Sequence, residues 1–260
     1  MSIRLLTMIT KRMIALMTDT NEETYESFLQ QRRAEIVRRI EAAAKRAGRP
    51  ISEISMIAVS KTVDIPEVKL AWQAGYTAFG ENRPQELKRK VEGLSADPHM
   101  ANIRFDMIGN LQTNKINQVL ECDVALVHSV SSFHLAQALS KRAAARNKHV
   151  SALLEVNVSG EESKSGFSAE ELRKGLDKLL GLPALSIKGF MTMAPAGDPV
   201  AARRTFAGLH QLRDELSASS GLPFGILSCG MSDDFEIAVE EGSTLLRLGR
   251  VVFDPAYALQ

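Results

Sequence analysis

Short apolar runs alternate along this chain with longer amphipathic stretches. Met56–Val59, Tyr76–Phe79, Phe105–Ile108, Val124–Val127, Val150–Val158, Leu185–Phe190, Ile226–Ser228 and Leu245–Leu248 are rich in β-branched and other apolar residues. Such runs predict strands buried on both faces, the pattern of a parallel sheet. Between them the apolar positions recur with helical spacing. A helix is predicted from Asp19 to about Arg46, with Phe28, Ile36, Ile40 and Ala44 on one stripe and Ala47-Gly-Arg-Pro50 ending it. Further helices are predicted after Asp64-Ile-Pro66, over Pro84–Glu92, just after Lys115, and over Ser132–Arg146, Ala169–Leu180, Val200–Ser217 and Asp233–Glu240. The Gln-Glu-Leu-Lys-Arg-Lys90 pattern of the Pro84 helix reads as solvent-facing. Eight strand-helix units in one chain of this length predict an α/β fold, a single-domain closed (β/α)8 TIM-type barrel with an extra N-terminal helix.

Length and charge narrow the picture. The 260 residues suit one large domain, and 32 basic against 31 acidic side chains leave a net charge of +1. That balance gives no electrostatic case for nucleic acid or an anionic membrane surface. Two cysteines, Cys122 and Cys229, are too few for a disulfide framework or a structural zinc site and read as small buried residues of a protein in a reducing compartment. Residues 1–18 carry Arg4, Lys11 and Arg12 among apolar residues, which interrupts any secretory h-region or membrane span. They are expected to form a disordered extension before a barrel domain over 19–260.

Candidate chemistry sits at the predicted C-terminal strand ends, where ligands bind in such folds. Lys61 follows the first strand, where lost solvation makes an amine a candidate for imine formation, although a lysine there is also commonly a solvated loop residue. After the seventh strand comes Ser228-Cys-Gly-Met-Ser-Asp-Asp234, in which Gly230 allows close backbone approach and Ser232 is placed to cap the next helix. Free N–H groups at a helix start favour phosphate, although Ser-Asp-Asp is also an ordinary cap. Arg247-Leu-Gly-Arg250 supplies a second glycine turn after the eighth strand. Barrels of this class often seat phosphate between those two loops. An amine together with a phosphate seat suggests a phosphorylated aldehyde held as an imine, which pyridoxal phosphate satisfies. Arg247 near a pyridine nitrogen would oppose its protonation and leave a poor electron sink; an ion-paired barrel arginine is the equal alternative. His128 ends the fourth strand and is the one histidine placed to line a pocket, while His99, His134, His149 and His210 show no ligand spacing, so no metal is expected.

Ala58-Val-Ser-Lys-Thr62, Phe79-Gly-Glu-Asn82, Ile108-Gly-Asn-Leu-Gln-Thr-Asn-Lys115, Asn157 with Ser163-Lys-Ser-Gly166, Gly189-Phe-Met-Thr-Met193, Gly230-Met-Ser-Asp-Asp234 and Arg247-Leu-Gly249 together resemble the pyridoxal phosphate homeostasis proteins. The likeness covers about Glu23 to Phe253. It implies a barrel like the N-terminal domain of bacterial alanine racemases, with Lys61 bound to pyridoxal phosphate as an internal aldimine. It further implies that Ser232, Gly249 and the backbone around Met231 take the phosphate, that Asn82 lies beside the cofactor, and that Arg247 faces the pyridine nitrogen. Members are regarded as cytoplasmic carriers or regulators of free pyridoxal phosphate without an established reaction. The expected partners are pyridoxal phosphate and the apoenzymes that use it, with the chain a monomer or weak homodimer.

Three positions depart from the family pattern. Phe105-Asp106-Met107 stands where Trp-His-Phe is frequent, so a contact from that histidine is absent or replaced. Arg250 replaces a small hydroxyl residue, and its guanidinium either binds the phosphate or swings away. Phe253-Asp-Pro255 replaces Phe-Gly. The alternative function is a racemase, which needs a second acid/base opposite Lys61. Only eleven residues follow Gly249, and Tyr257 among them reads as a surface or packing residue. A lysine aldolase needs carboxylates near the imine and usually a later-strand lysine, so it fits less well.

Overall fold

A computed structural model of the chain describes residues 3–100, 102–158 and 165–259, with side chains from residue 24 onward. Eight strands, β1 (Ser55–Val59), β2 (Ala78–Glu81), β3 (Arg104–Met107), β4 (Leu126–Val130), β5 (Val150–Glu155), β6 (Leu185–Met191), β7 (Ile226–Ser228) and β8 (Leu245–Leu248), form a closed barrel in sequence order. Every neighbouring pair is parallel, and β8 returns to β1 with Ser55 opposite Leu245 and Ala58 opposite Leu248. The helices are α1 (Ile3–Arg46), α2 (Ile65–Gln73), α3 (Pro84–Ser95), α4 (Ile116–Glu121), α5 (Phe133–Ala144), α6 (Ala169–Leu180), α7 (Pro199–Ser220), α8 (Phe235–Glu240) and α9 (Arg250–Phe253).

The expected fold is therefore observed, with shifts at particular ends. α1 begins at Ile3 rather than Asp19, so the segment expected to be disordered continues the helix through Asp19. No proline or glycine precedes Gly48 to interrupt it. β2 starts two positions later than predicted because Tyr76 still closes α2, its N–H donating to the Ala71 carbonyl at 3.0 Å past a left-handed Gly75. β5 stops at Glu155, and Val156 makes an isolated bridge with Phe167. The predicted loop residues Glu161, Glu162 and Lys164, and Ser163 of the quoted motif, lie outside the described residues.

Local signals place the helices. Asp64 and Glu67 form a reciprocal capping box at α2 with Pro66 in its first turn, and Ser168 and Glu171 do the same at α6. Ser132 caps α5, and the Asp198 carboxylate accepts from Val200 N and Ala201 N to start α7. The apolar core divides in two. A large cluster lies between barrel and helices, and a smaller one, Ile57, Ala78, Leu126, Leu153, Met191 and Leu245, plugs the barrel interior. α1 packs on α2, α8 and α9 and so covers the seam where β8 meets β1.

Two buried polar groups interrupt this apolar packing. Lys90, predicted as solvent-facing, is 1% exposed and forms an ion pair between α3 and β2 with Glu81, which is 0% exposed. The helical repeat places Lys90 on the face of buried Leu87 and Leu94, and the buried Glu81 carboxylate holds it there. Lys90 also donates to the Ser60 carbonyl at 2.6 Å, and the Ser60 hydroxyl donates to Glu81 Oε1 at 2.6 Å. Inside the barrel, His128 Nε2 lies 3.1 Å from Asp106 Oδ2 and its Nδ1 lies 3.0 Å from Ser228 Oγ. Arg104 closes one end by a forked contact to Asp106 at 3.0 and 2.8 Å. Arg247 closes the other, Nη1 donating to Ser228 Oγ at 2.7 Å.

Each group carries a measurable consequence. Lys90→Met strands the Glu81 carboxylate in the core and lowers stability by about 3–5 kcal/mol, read as a lower denaturation midpoint. An unchanged midpoint would refute a stabilising role for the pair. Burial holds the His128 imidazole below its ordinary range, against the opposing pull of Asp106 and with Arg247 and Arg104 reinforcing the depression. The unfolded chain takes up that proton near pH 6.5 or so while the folded chain does not, so unfolding absorbs a proton in this window. Stability then falls as pH drops below about 6.5, by at most about 1.4 kcal/mol per unit from this residue. His128→Gln should remove that component from the pH dependence of unfolding, and parallel curves for the two proteins would exclude it.

Candidate functional site

The C-terminal rim of the barrel is set by what holds each strand end. Ser60 is anchored on three sides: its N–H donates to the Gly80 carbonyl at 3.0 Å, its hydroxyl to Glu81, and its carbonyl accepts from Lys90. Lys61 follows directly, at a turn closed by Val63 N to Ser60 O at 3.1 Å. Its side chain is exposed, so the protein alone does not supply the lost solvation expected of it. Asn82 is half-buried at the end of β2. Its carbonyl lies where a Cβ on Gly109 would stand, 2.1 Å away, so only glycine lets the β3 turn approach β2 this closely.

The two glycine turns meet beside β1. Gly230 has φ +95° and packs so tightly that a Cβ would lie 2.6 Å from Ala238 Cβ. Ser232 does not cap α8 as predicted. That helix starts at Phe235 behind Asp234, whose carboxylate turns back to accept from Met231 N at 2.6 Å. Ser232 Oγ instead accepts from Val251 N at 3.1 Å and ties the β7 turn to the start of α9. Gly249 stands against β1, since a Cβ there would lie 3.4 Å from Val59 Cβ. Among the described residues no protein acceptor pairs the Ser232, Gly249 or Arg250 N–H, so these donors, with the Ser232 hydroxyl proton, suit an anion. The Met231 N–H does not, being already satisfied. Arg250 takes the second of its two expected postures, ion-paired with Asp233 and 5.5 Å over the Tyr257 ring.

Arg247 lies inside the barrel below these turns and is 5% exposed. Nη1 donates to the Ser228 carbonyl and hydroxyl, both at 2.7 Å, and Nη2 to the Thr192 carbonyl at 3.0 Å. It is not the ion-paired barrel arginine of the alternative reading, because all three acceptors are neutral. Burial pushes its proton affinity down, while Asp234 and Glu155 oppose this through space without contact. A guanidinium has five N–H donors, so the Nε–H and one Nη2–H are left for another acceptor.

Lys61, Asn82, Ser232, Arg247 and Gly249 thus belong to adjacent strand ends, in the order β7, β8, β1, β2 around the closed sheet. A cavity of ≈790 Å³ opens elsewhere, on the outer side of the Ser232 turn between α7, α8 and the C-terminal tail. Met231, Ser232, Asp233, Arg250 and Tyr257 line it, and Lys61, Asn82, Arg247 and Gly249 do not. Hydrogen-bonding capacity, not void volume, marks the rim as the site. His128, the one histidine expected to be able to line a pocket, lies within β4 and is fully buried in the barrel interior. The single Tyr257 hydroxyl proton is shared between the Ser232 carbonyl at 2.9 Å and Asp233 Oδ1 at 2.7 Å, which ties the tail to the β7 turn. Both cysteines are buried, and burial raises each thiol to about 11. Glu81, Lys90 and Thr192 stood in noted patterns without an assigned role; only the pairing of strands brings out what they hold.

The sequence pattern of the alanine racemase N-terminal domain matches residues 32–255. A pyridoxal phosphate homeostasis protein of Aquifex aeolicus is 37% identical over 224 residues, spanning 86% of this chain and 96% of the relative. An unknown protein from Bifidobacterium adolescentis superposes with a TM-score of 0.82 at 38% identity, over 88% of this chain and 96% of its own. PipY of Synechococcus elongatus, solved with PLP bound, superposes with a TM-score of 0.74 at 30% identity, over 86% and 99% of the two chains. With the closed barrel and the ordered strand-end motifs, these likenesses make the chain a member of the pyridoxal phosphate homeostasis protein family, built on the alanine racemase N-terminal-domain fold.

Proposed function

We propose that this protein binds pyridoxal 5'-phosphate and holds it covalently through Lys61, contributing to cytoplasmic pyridoxal phosphate homeostasis and carriage without a strong reaction of its own. The observation that carries the reading is the continuity of the rim, where Gly249 touches Val59 and Ser232 bonds Val251. One amine, two turns with unpaired N–H groups and a buried cation thereby belong to neighbouring strand ends of the closed sheet. Bound there, the cofactor would supply an aldehyde for the amine and a ring able to withdraw electrons.

The chain's own residues limit that withdrawal. The Ser232, Gly249 and Arg250 N–H groups and the Ser232 hydroxyl would hold the phosphate, and Asn82 would lie beside the ring. Arg247, a permanent donor, would face the ring nitrogen of the bound group and disfavour a proton on that atom. Lys61, exposed in the protein alone, would lose solvent when a bound cofactor covers it. Apoenzymes that use pyridoxal phosphate are the proposed recipients, and the chain acts as a monomer or weak homodimer. In a racemase, a second acid/base would stand opposite Lys61. Tyr257 does not meet that need, because its hydroxyl is bonded to Ser232 and Asp233.

Three measurements test this reading. The purified protein loaded with pyridoxal phosphate should show visible absorbance that borohydride traps on Lys61, and Lys61→Ala should lose it; an unchanged spectrum would assign the cofactor to another lysine. Ser232→Ala should weaken retention by about tenfold or more, the worth of a charge-assisted hydrogen bond, whereas equal retention would move the phosphate off this turn. Incubation with single amino-acid enantiomers should give no inversion above free pyridoxal phosphate, and turnover well above that control would favour the racemase.

A further inference from the structure

We propose that His128, with Asp106 and Ser228, is a positioning relay that fixes the Arg247 guanidinium and so sets how the protein addresses the cofactor ring. The inference rests on the proposed cofactor site and adds residues from the barrel interior to it.

Proton bookkeeping gives the relay one direction. Arg247 has only donors, so Ser228 Oγ accepts from Nη1 at 2.7 Å. The Ser228 hydroxyl proton is then free to point at His128 Nδ1, 3.0 Å away. An imidazole that accepts at Nδ1 carries its proton on Nε2, and that N–H meets Asp106 Oδ2 at 3.1 Å. Arg104 fixes the carboxylate from the far side with two contacts. Every link agrees with a neutral imidazole, and a second proton on His128 would set a cation beside Arg247 in a buried space.

Burial makes the arrangement stiff. Asp106, His128 and Ser228 are each 0% exposed, so no bulk water replaces a lost link. Among the described residues Arg247 is bonded to no carboxylate, and its hydrogen bonds go to Ser228 and to the Thr192 carbonyl. Loss of the relay would leave the Ser228 side chain without a proton acceptor and let the guanidinium turn. The Nε–H and the remaining Nη2–H would then no longer be aimed by the protein. The imidazole thus acts through Ser228 and Arg247, without itself touching the cofactor.

The test has one arm without cofactor and one with it. In cofactor-free protein labelled with ¹⁵N-histidine, the resonances lost in His128→Gln should report a protonated Nε2 and an unprotonated Nδ1 at neutral pH, and Ser228→Ala should shift Nδ1. A proton on Nδ1 would overturn the relay. In the loaded protein, Ser228→Ala and Asp106→Leu should keep the trapped Lys61 adduct yet release pyridoxal phosphate about three- to tenfold faster, the worth of one hydrogen bond. The same variants should displace the pH at which the bound chromophore changes colour. Asp106→Asn keeps an acceptor for the Nε2–H and should restore both properties. If the wild-type chain takes up no pyridoxal phosphate, the parent reading falls and this one with it. Normal loading with unchanged release and colour titration in Ser228→Ala and Asp106→Leu sinks the relay alone.

Discussion

The pairing of β8 with β1 is the contact on which the rest of the molecule depends. It turns an open sheet into a ring, and in so doing puts the turn after the last strand, at Gly249, against the first strand at Val59. Without closure, Lys61 and Arg247 would sit on opposite edges of a sheet. Closure also needs the seam covered. α1 does this by packing on α8 and α9, with Leu29, Ile36 and Ile40 buried, and by ion pairs from Arg39 to Glu236 and from Arg46 to Glu240 at 2.6 Å. The apolar contacts provide most of that stabilisation, because the Arg46 pair is half in solvent and such pairs contribute little each.

The barrel then spends some of its stability on buried polar groups. Apolar residues in place of the whole Glu81–Lys90 pair, and of Asp106 and His128 together, would pack the interior without the desolvation cost of these groups. Each polar group instead belongs to a hydrogen-bonded chain that ends at a residue of candidate chemistry or its immediate neighbour. Glu81 and Lys90 fix Ser60, the residue before Lys61, and His128 and Ser228 lead to Arg247. Directional bonds specify a position more narrowly than apolar contact does, since a hydrogen bond tolerates little change in angle. The cost of these groups is consistent with a rim whose geometry matters more than the last increment of stability.

The alternation of apolar runs was enough to read the barrel, because strands of a parallel barrel are buried on both faces and leave a strong signal. Lys61 and the two glycine turns were legible for a related reason: strand ends and glycines have positional meaning. The partners were not legible. Lys90 reads as a surface lysine until the strand order shows Glu81 beside it, and Asp106 reads as a mere departure from Trp-His-Phe until β4 sets His128 against it. Ser232 was read as the cap of α8 because sequence neighbours dominate such reasoning. In the folded chain Asp234 folds back on Met231, and the Ser232 hydroxyl finds Val251 across the rim instead. Contacts between residues far apart in sequence decide these cases, and no local pattern contains them.

The same geometry bears on why a fold shared with racemases would serve storage. Carbanion chemistry on a pyridine ring is strongest when the ring nitrogen carries a proton, and a donor that never gives its proton up disfavours that state. Arg247 is such a donor, and its neutral acceptors leave its charge uncompensated at contact distance. A tyrosine placed to return a proton on the opposite face would still permit a weak reaction. In this chain Tyr257 is engaged with Ser232 and Asp233, where it braces the turn proposed to hold the phosphate. Asp233, in turn, draws Arg250 outward, so the cation that replaces the family's small hydroxyl residue is balanced by a carboxylate instead of adding its full charge to the phosphate seat. If the proposed seat holds phosphate through neutral N–H groups while its nearest exposed cation stays paired with Asp233, retention would be firm yet reversible, which suits the proposed carrier role.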